Sequence, residues 1–256
     1  MLLTADVGNT NITLGAYSGG RLMFVSRLYT ERAHTVDQYA VSLKLLLELH
    51  GISPSDFSGA VVSSVVPELS LIICGAVETL TGVRPLTVSP GVKTGLNILT
   101  DNPAEVGADL VAGAVAAAAK YPLPCLVMDL GTATKISVID ENGAFLGCTI
   151  SPGVAISLEA LSSRASLLPR ISWETPRKVI GTNSVDSIQS GVVFGVASML
   201  DGMCDKIEQE LGRPAKTVVA TGGLSKDIVK SCRREVITNP DLILEGLKII
   251  YEKNVR

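Results

Sequence analysis

Asp6-Val7-Gly8-Asn9-Thr10-Asn11 lies near the start of the chain, between two segments with the hydrophobicity pattern of β-strands. The apolar residues 1–5 precede it. After it, Ile12, Leu14 and Ala16 alternate with less apolar residues, which is typical of a half-buried strand. The six residues are therefore predicted to form the tight turn of a β-hairpin with an acid at its entrance.

This turn has the composition of a phosphate-binding site. Gly8 lets the backbone adopt positive φ or come close to a ligand. Asn9, Thr10 and Asn11 add short polar side chains beside exposed N–H groups, and together these make a cradle for phosphate oxygens. Asp6 would repel phosphate unless a cation lies between them, so it indicates Mg²⁺. Ordinary hairpin turns also favour Asp, Gly and Asn, so the motif alone leaves both interpretations open.

A second copy of the pattern favours the phosphate-binding interpretation. Asp129-Leu130-Gly131-Thr132-Ala133-Thr134 follows the apolar residues 123–128 and leads into another strand-like segment, residues 136–139. A third glycine turn, Ala220-Thr221-Gly222-Gly223, follows the strand-like residues 217–219. Each half of the chain thus carries one acid–glycine hairpin, which indicates an internal repeat.

The repeat predicts a duplicated α/β fold with mixed sheets flanked by helices. Two phosphate hairpins with a Gly-Gly turn near a nucleoside are typical of the actin-like, ribonuclease H-like superfamily that includes sugar kinases and the Hsp70 ATPase. The Pro-rich connection at residues 121–124 divides the chain into predicted domains 1–120 and 121–256, each with one hairpin. A fold shared by so many enzymes leaves the substrate open.

Composition excludes several classes of function. The 256 residues are 46% hydrophobic and 18% charged, which is ample for real cores and argues against disorder. The net charge of −3, with no Lys/Arg-rich run, makes nucleic acid an unexpected partner. Five widely spaced cysteines indicate reduced thiols in a cytoplasmic protein. The N-terminus does not resemble a signal peptide, and the longest apolar run, residues 110–119, is too short to span a membrane.

Four local predictions concern the later part of the chain. A helix is expected to begin at Asn102-Pro103, with Gly107 in its first turns, and a long helix is expected from Ser187 to Leu211. Residues 167–178 are predicted to be a loop. Arg233-Arg234 is expected to be a solvated charged face.

Short motifs follow one another along nearly the whole chain: Asp6-Val7-Gly8-Asn9-Thr10-Asn11, Ser63-Ser64-Val65-Val66-Pro67, Asp101-Asn102-Pro103, Gly107-Ala108-Asp109, Asp129-Leu130-Gly131-Thr132-Ala133-Thr134, Pro152-Gly153, Ser190-Gly191, Thr221-Gly222-Gly223-Leu224, Gly246-Leu247 and Tyr251-Glu252-Lys253-Asn254. In this order they resemble the type III pantothenate kinases. Those enzymes use ATP to phosphorylate the primary hydroxyl of pantothenate, which is the first step of coenzyme A biosynthesis. The family works as a homodimer with its acceptor pocket near the subunit interface.

The resemblance implies roles for a catalytic acid, a cation ligand and the residues that bind ATP. Asp109 would be the general base for the substrate hydroxyl, which suits a reaction that depends on positioning and charge stabilisation. An acid in the first turns of a helix is also favoured by the helix dipole, which is the alternative for Asp109. Asp129 would bind a monovalent cation, K⁺ or NH₄⁺, beside the nucleotide. The ATP phosphates would be held by Asp6, Val7, Gly8, Asn9, Thr10, Asn11, Ile12, Thr13 and Thr132.

On the acceptor side the sequence departs from the family. The positions implied there are Thr100, Gly107, Ala108, Asp109, Leu110, Lys135 and Ser184. Thr100 replaces a Tyr, Lys135 replaces a Thr, and Ser184 keeps the hydroxyl of a Thr. Leu110 replaces an Arg and so removes a bidentate partner for the acceptor.

Lys135 introduces a positive charge just past the second hairpin. Strand alternation predicts that it points away from the face of Thr132 and Thr134. If it faces the acceptor, it replaces the lost arginine. If it faces solvent, its removal has no effect.

Three functions remain open from the sequence. The first is phosphorylation of pantothenate. The second is phosphorylation of another small hydroxylated substrate by a kinase of the same fold, which the altered positions Thr100, Leu110 and Lys135 suggest. The third is a non-catalytic regulator that resembles the related Bvg accessory factors.

Overall fold

The computed structural model describes residues 1–164, 169 and 171–255. The chain forms two compact units. The first unit comprises Met1–Leu96, Asp101–Ala116 and Asp241–Arg256, and the second comprises Asn97–Thr100 and Ala117–Pro240. In the loop predicted over 167–178, residues 167, 168 and 170 lie outside the described part of the chain.

Both units consist of β-strands and α-helices. The strands are β1 Leu2–Val7, β2 Asn11–Ser18, β3 Arg21–Tyr29, β4 Gly59–Ser64, β5 Leu86–Thr87, β6 Cys125–Leu130, β7 Ala133–Ile139, β8 Phe145–Pro152, β9 Thr217–Thr221 and β10 Ile237–Thr238. The helices are α1 Val36–Leu49, α2 Pro67–Thr81, α3 Ala108–Lys120, α4 Val154–Arg164, α5 Ser184–Leu211, α6 Ser225–Ile228 and α7 Leu242–Asn254. Short 3₁₀ turns cover Pro54–Asp56, Pro103–Glu105 and Val229–Ser231. Within the described residues, no helix has both the length and the apolar character needed to cross a membrane.

The two sheets share one topology. The first has the strand order β3-β2-β1-β4-β5, and the second has the order β10-β9-β6-β7-β8. In the first, β1 is antiparallel to β2 and parallel to β4, and in the second β6 is antiparallel to β7 and parallel to β9. The second sheet therefore repeats the first strand by strand. The predicted duplicated α/β fold with mixed sheets is confirmed.

Each unit buries its own apolar core between the sheet and its helices. In the first unit, Tyr39, Leu43 and Leu47 recur at helical spacing along α1 and belong to the same core cluster as alternate residues of β1 and β2. In the second unit, α5 contributes the largest helical share of the core, with Val192, Val193, Ala197, Leu200 and Cys204.

The C-terminal helix packs with the first unit, although the predicted boundaries counted it in the second domain. Leu244, Leu247 and Ile250 of α7 are fully buried or nearly so. Gly246 has no side chain, so its backbone lies directly against the Ala112 carbonyl of α3. The position of a helix in the sequence does not reveal that it packs against a core formed by distant segments.

Two helices begin elsewhere than predicted. The segment from Asn102-Pro103 is a 3₁₀ turn that ends at Val106, whose extended backbone interrupts the helix, so α3 begins only at Ala108. Gly107 therefore precedes the helix. α5 begins at Ser184, three residues before the predicted Ser187, because the Asn183 side chain accepts a 2.9 Å hydrogen bond from the Asp186 N–H and caps the helix.

The prediction for Arg233-Arg234 is wrong for its second residue. The Arg233 side chain is 75% exposed, but that of Arg234 is only 17% exposed and donates to Glu208 and Asp205 of α5 at 3.1 and 2.6 Å. Both backbone N–H groups donate to the carboxylate of Asp201, which is 3% exposed. Burial of an acid on the neighbouring helix, not the local charge run, decides where Arg234 lies.

We expect Arg234→Met to lower the free energy of unfolding by about 3 kcal/mol, because Asp201 stays buried and loses one of its cations. Arg213→Met removes an exposed ion pair with Glu141 and should cost less than about 1 kcal/mol. Chemical denaturation measures both. Equal losses in the two variants would show that the buried cluster is no more important than a surface pair.

The same cluster predicts a dependence on acid. The hydrogen bond from Arg234 holds the pKa of Glu208 below its ordinary value of 4.5. This contribution to stability is complete above pH 4.5 and is lost as the pH falls through the lowered pKa. The stability difference between the parent protein and Arg234→Met should therefore shrink in acid. Denaturation at a series of pH values tests it, and a constant difference would contradict it.

Candidate active site

Asp6 lies at the carboxyl end of β1, the central strand of the first sheet. The register places Thr13 of β2 on one side of it and Ser63 of β4 on the other. The Ser63 hydroxyl donates a 2.7 Å hydrogen bond to Asp6 Oδ1. This bond fixes the direction of the carboxylate at the entrance of the turn.

The turn after Asp6 presents polar groups to solvent. The Gly8 N–H donates to the Asn11 carbonyl at 3.0 Å and closes the turn. Thr30 directly follows β3, and its hydroxyl donates a 2.7 Å hydrogen bond to the Gly8 carbonyl, which holds the turn in place. Asn9, Thr10 and Asn11 are exposed. The turn is thus rigid in its backbone and open at its tip, as a phosphate cradle requires.

Two of the residues assigned to ATP have side chains that cannot reach a ligand. Val7 and Ile12 are both 0% exposed and belong to the core of the first unit. Any contact that they make with a nucleotide would come from the backbone. Thr13, by contrast, is half-buried and lies opposite Asp6.

Asp109 lies in the first turn of α3, and its Oδ1 accepts a 2.8 Å hydrogen bond from the Leu110 N–H. A Cβ on Gly107 would lie 2.6 Å from that Oδ1 and 3.6 Å from Val65. Val65 follows β4 and donates its N–H to the Val7 carbonyl at 3.0 Å. These contacts bring the Asp109 carboxylate to the end of the first sheet at which the first hairpin turns.

The second hairpin is packed against the third glycine turn. Gly222 has φ +93°, and a Cβ there would meet the backbone of Leu130, 2.5 Å from its carbonyl oxygen. The Gly153 N–H donates to the Thr132 carbonyl at 3.2 Å. At position 222, only glycine combines a φ of +93° with so close an approach to the Leu130 backbone. In the second unit, the predicted phosphate hairpin and the predicted nucleoside turn are therefore neighbours.

Lys135 lies directly opposite Asp129 across the β6–β7 pair. Its Nζ is 2.8 Å from Asp129 Oδ2, and the two side chains are only 15% and 14% exposed. The alternative in which Lys135 faces solvent is wrong. Its ammonium is held by the acid of the second hairpin.

The other acceptor positions have diverse environments. The Thr100 hydroxyl is buried from solvent and has no hydrogen-bond partner among the described residues, which is costly for a polar group. Leu110 and Ala108 are half-buried. Ser184 is exposed at the start of α5 and lines an open cavity of about 920 Å³ within the second unit.

Sequence reasoning missed two interactions in this region. Ser63 was part of a matched motif but had no role assigned, and the Lys135–Asp129 ion pair was not foreseen. Both follow from strand register: Lys135 falls six residues after Asp129 across a tight turn, where a hairpin places opposite residues side by side.

The duplicated fold, with one acid–glycine hairpin in each unit, is that of the actin-like fold class. The sequence profile described as type III pantothenate kinase matches residues 2–206. A type III pantothenate kinase of Exiguobacterium sp. is 44% identical over 256 residues, covering 99% of each chain. One of Myxococcus xanthus is 44% identical over 254 residues, again with 99% of each covered. The chain belongs to the type III pantothenate kinase family.

Solved structures share the fold at lower identity. A putative Baf family transcriptional activator from Campylobacter jejuni is similar with a TM-score of 0.62 and 20% identity, over 98% of both chains. The ROK hexokinase from Thermus thermophilus is similar with a TM-score of 0.52 and 14% identity, over 99% of this chain and 98% of the hexokinase. These likenesses support the fold alone.

Gly107→Ala is expected to reduce the rate of phosphoryl transfer by about tenfold to a hundredfold, because the new methyl group displaces the Asp109 carboxylate. Its thermal unfolding should change little, since the displaced atom ends a flexible side chain. Gly113→Ala is the matched control in the same helix, because a Cβ there meets nothing within 4 Å. Normal activity in Gly107→Ala would show that this contact does not set the position of Asp109.

Proposed function

We propose that this protein transfers the γ-phosphoryl group of ATP to the primary hydroxyl of pantothenate and forms 4'-phosphopantothenate. Membership of the family and the names of relatives at 44% identity over nearly the full length support the substrate. The observation that carries the chemistry is the approach of Asp109, through Gly107 and Val65, to the sheet end that bears the first hairpin.

In this proposal Asp109 is the general base. Its carboxylate orients the acceptor hydroxyl and takes its proton as the new P–O bond forms. Phosphoryl transfer needs little covalent help from the protein, so positioning and charge stabilisation supply most of the rate. The backbone N–H groups of residues 9–11 and the hydroxyl of Thr10 bind phosphate oxygens of ATP. Thr132 does the same from the second hairpin.

Asp6 is proposed to hold Mg²⁺ with the nucleotide. The described residues contain no cluster of three or more His, Cys, Asp or Glu side chains that could hold a metal ion. Kinases usually bind Mg²⁺ through one or two carboxylates together with substrate phosphates and water, so one oriented carboxylate fits the ion. When bound, Mg²⁺ neutralises charge on the transferred group. The monovalent cation expected at Asp129 would meet a positive charge that Lys135 already supplies there.

We further propose that the enzyme acts as a homodimer in the cytoplasm. The family resemblance supports the dimer, and the supply of ATP and pantothenate supports the compartment. Analytical ultracentrifugation tests the oligomeric state, and a monomer at all accessible concentrations would contradict it.

Asp109→Asn should abolish most activity, with a loss of about a hundredfold to ten-thousandfold in kcat, because Asn keeps the shape but cannot take a proton. The assay measures phosphopantothenate formed from ATP, Mg²⁺ and pantothenate. Asp37→Asn is the control, since Asp37 is an exposed acid in the first turn of α1 and shares only the helix-dipole role. Product formation by the parent protein no greater than that of Asp109→Asn would overturn the proposal.

A second candidate is a kinase that acts on another small hydroxylated substrate. It is favoured by Leu110, which takes away the arginine of the acceptor side, and by the engagement of Lys135 with Asp129. Comparison of kcat/KM for pantothenate with a panel of hydroxylated acids, amides and sugars separates the two candidates. A clear preference for pantothenate would eliminate the second.

A further inference from the structure

The two hairpins have the same architecture but place different groups beside their acids. In the first sheet, Asp6 lies between Thr13 and Ser63. In the second, Asp129 takes the equivalent position at the end of β6 and lies between Lys135 and Thr221. Both of these neighbours of Asp6 carry a neutral hydroxyl group. An ammonium group beside Asp129 provides a cation from the chain itself.

The Lys135–Asp129 pair is short and nearly buried, which distinguishes it from an ion pair on the protein surface. The Nζ–Oδ2 distance is 2.8 Å, and both side chains are nearly buried. The two residues are fixed by the β6–β7 register, so the pair does not depend on a flexible loop. Gly131 and Thr132 of the predicted phosphate-binding turn come immediately after the strand that carries Asp129.

We propose that Lys135 is a tethered cation: its ammonium takes the place at Asp129 that a free K⁺ or NH₄⁺ would take, and the protein binds nucleotide without a monovalent cation. The inference rests on the proposed function, because it assigns the second hairpin to the phosphates of ATP. It differs from the acceptor-binding role predicted for Lys135, since it assigns the lysine to the nucleotide.

Charge makes the tethered and the free cation alternatives to each other. The lysine ammonium is a compact point charge of the same kind as NH₄⁺. A second cation within about 4 Å of it, in a nearly buried site, would be repelled by several kcal/mol at an effective dielectric constant of about 20. Because Lys135 is attached to the strand next to Asp129, it also has a high effective concentration there. A free cation therefore competes poorly for the same carboxylate.

The experiment measures the affinity for Mg²⁺ and a non-hydrolysable ATP analogue by calorimetry. Titrations are done in tetramethylammonium chloride, whose cation is too large for the site, and in KCl or NH₄Cl at the same ionic strength. The parent protein should bind equally well in all three salts. Lys135→Thr should bind about tenfold or more weakly in tetramethylammonium chloride, and K⁺ or NH₄⁺ should restore its affinity, because the lost interaction is a charged hydrogen bond.

Two further variants distinguish a tethered cation from a structural lysine. Lys135→Met fills the volume without charge, so it should bind nucleotide weakly in every salt. Lys248→Thr is the matched control, because Lys248 forms an ion pair of the same 2.8 Å length with Glu252 and is 21% exposed. It should bind nucleotide as the parent protein does and show no dependence on K⁺.

The inference is overturned if the parent protein needs K⁺ for tight nucleotide binding, or if Lys135→Thr binds well in tetramethylammonium chloride. The parent measurement stands even if the variant does not fold. These outcomes are separate from the proposed function. A parent protein that needs K⁺ but phosphorylates pantothenate contradicts only the tethered cation. One that binds nucleotide without K⁺, and whose Lys135→Thr variant acquires a K⁺ requirement, supports the tethered cation even if pantothenate is not its substrate.

Discussion

The structure depends on one electrostatic constraint that occurs twice: a carboxylate at the carboxyl end of the central strand of each sheet. Asp6 and Asp129 are carried by β1 and β6, whose flanking strands bury them partly and set their neighbours. A partly buried carboxylate costs free energy unless a hydrogen bond or a cation compensates it. Ser63 provides the first kind of partner and Lys135 the second. The acid thus occurs in both halves of the duplicated fold, but its partner is the Ser63 hydroxyl in the first half and the Lys135 ammonium in the second.

Much of the fold could be predicted because its strands alternate cleanly and its turns carry glycine. The hairpin of β1 and β2 follows from Ile12, Leu14 and Ala16, and the repeat follows from the second Asp-x-Gly-Thr. What failed was decided by tertiary structure or by single backbone groups. Val106 interrupts a helix that composition favours, and Asn183 starts one early through its side chain. The place of α7 depends on which core Gly246 lets it approach.

The candidate site was predictable in its residue types and not in its pairings. Motif order selects Asp6, Asp109 and Asp129, since each chemical role needs an acid. The partners of these acids lie on other strands or on a preceding loop, at separations that only register reveals. Arg234 makes the same point outside the site, because the buried Asp201 of α5 fixes the loop that carries it. A run of charged residues in a sequence shows which side chains are charged, but it does not show which of them form ion pairs.

Leu110 and Lys135, the two departures from the family that change a charge, have different roles in the proposed function. The Asp109 carboxylate accepts its hydrogen bond from the backbone N–H of residue 110, which any side chain there preserves. If Asp109 is the base, as proposed, Leu110 in place of the arginine implied by the family resemblance leaves the carboxylate oriented and offers the acceptor no charge. Lys135 does not return that charge directly, because its ammonium is bound to Asp129. Under the proposed function, Leu110 lies beside the acceptor and Lys135 beside the nucleotide, so the two positions act separately and recognition of the acceptor relies on neutral groups.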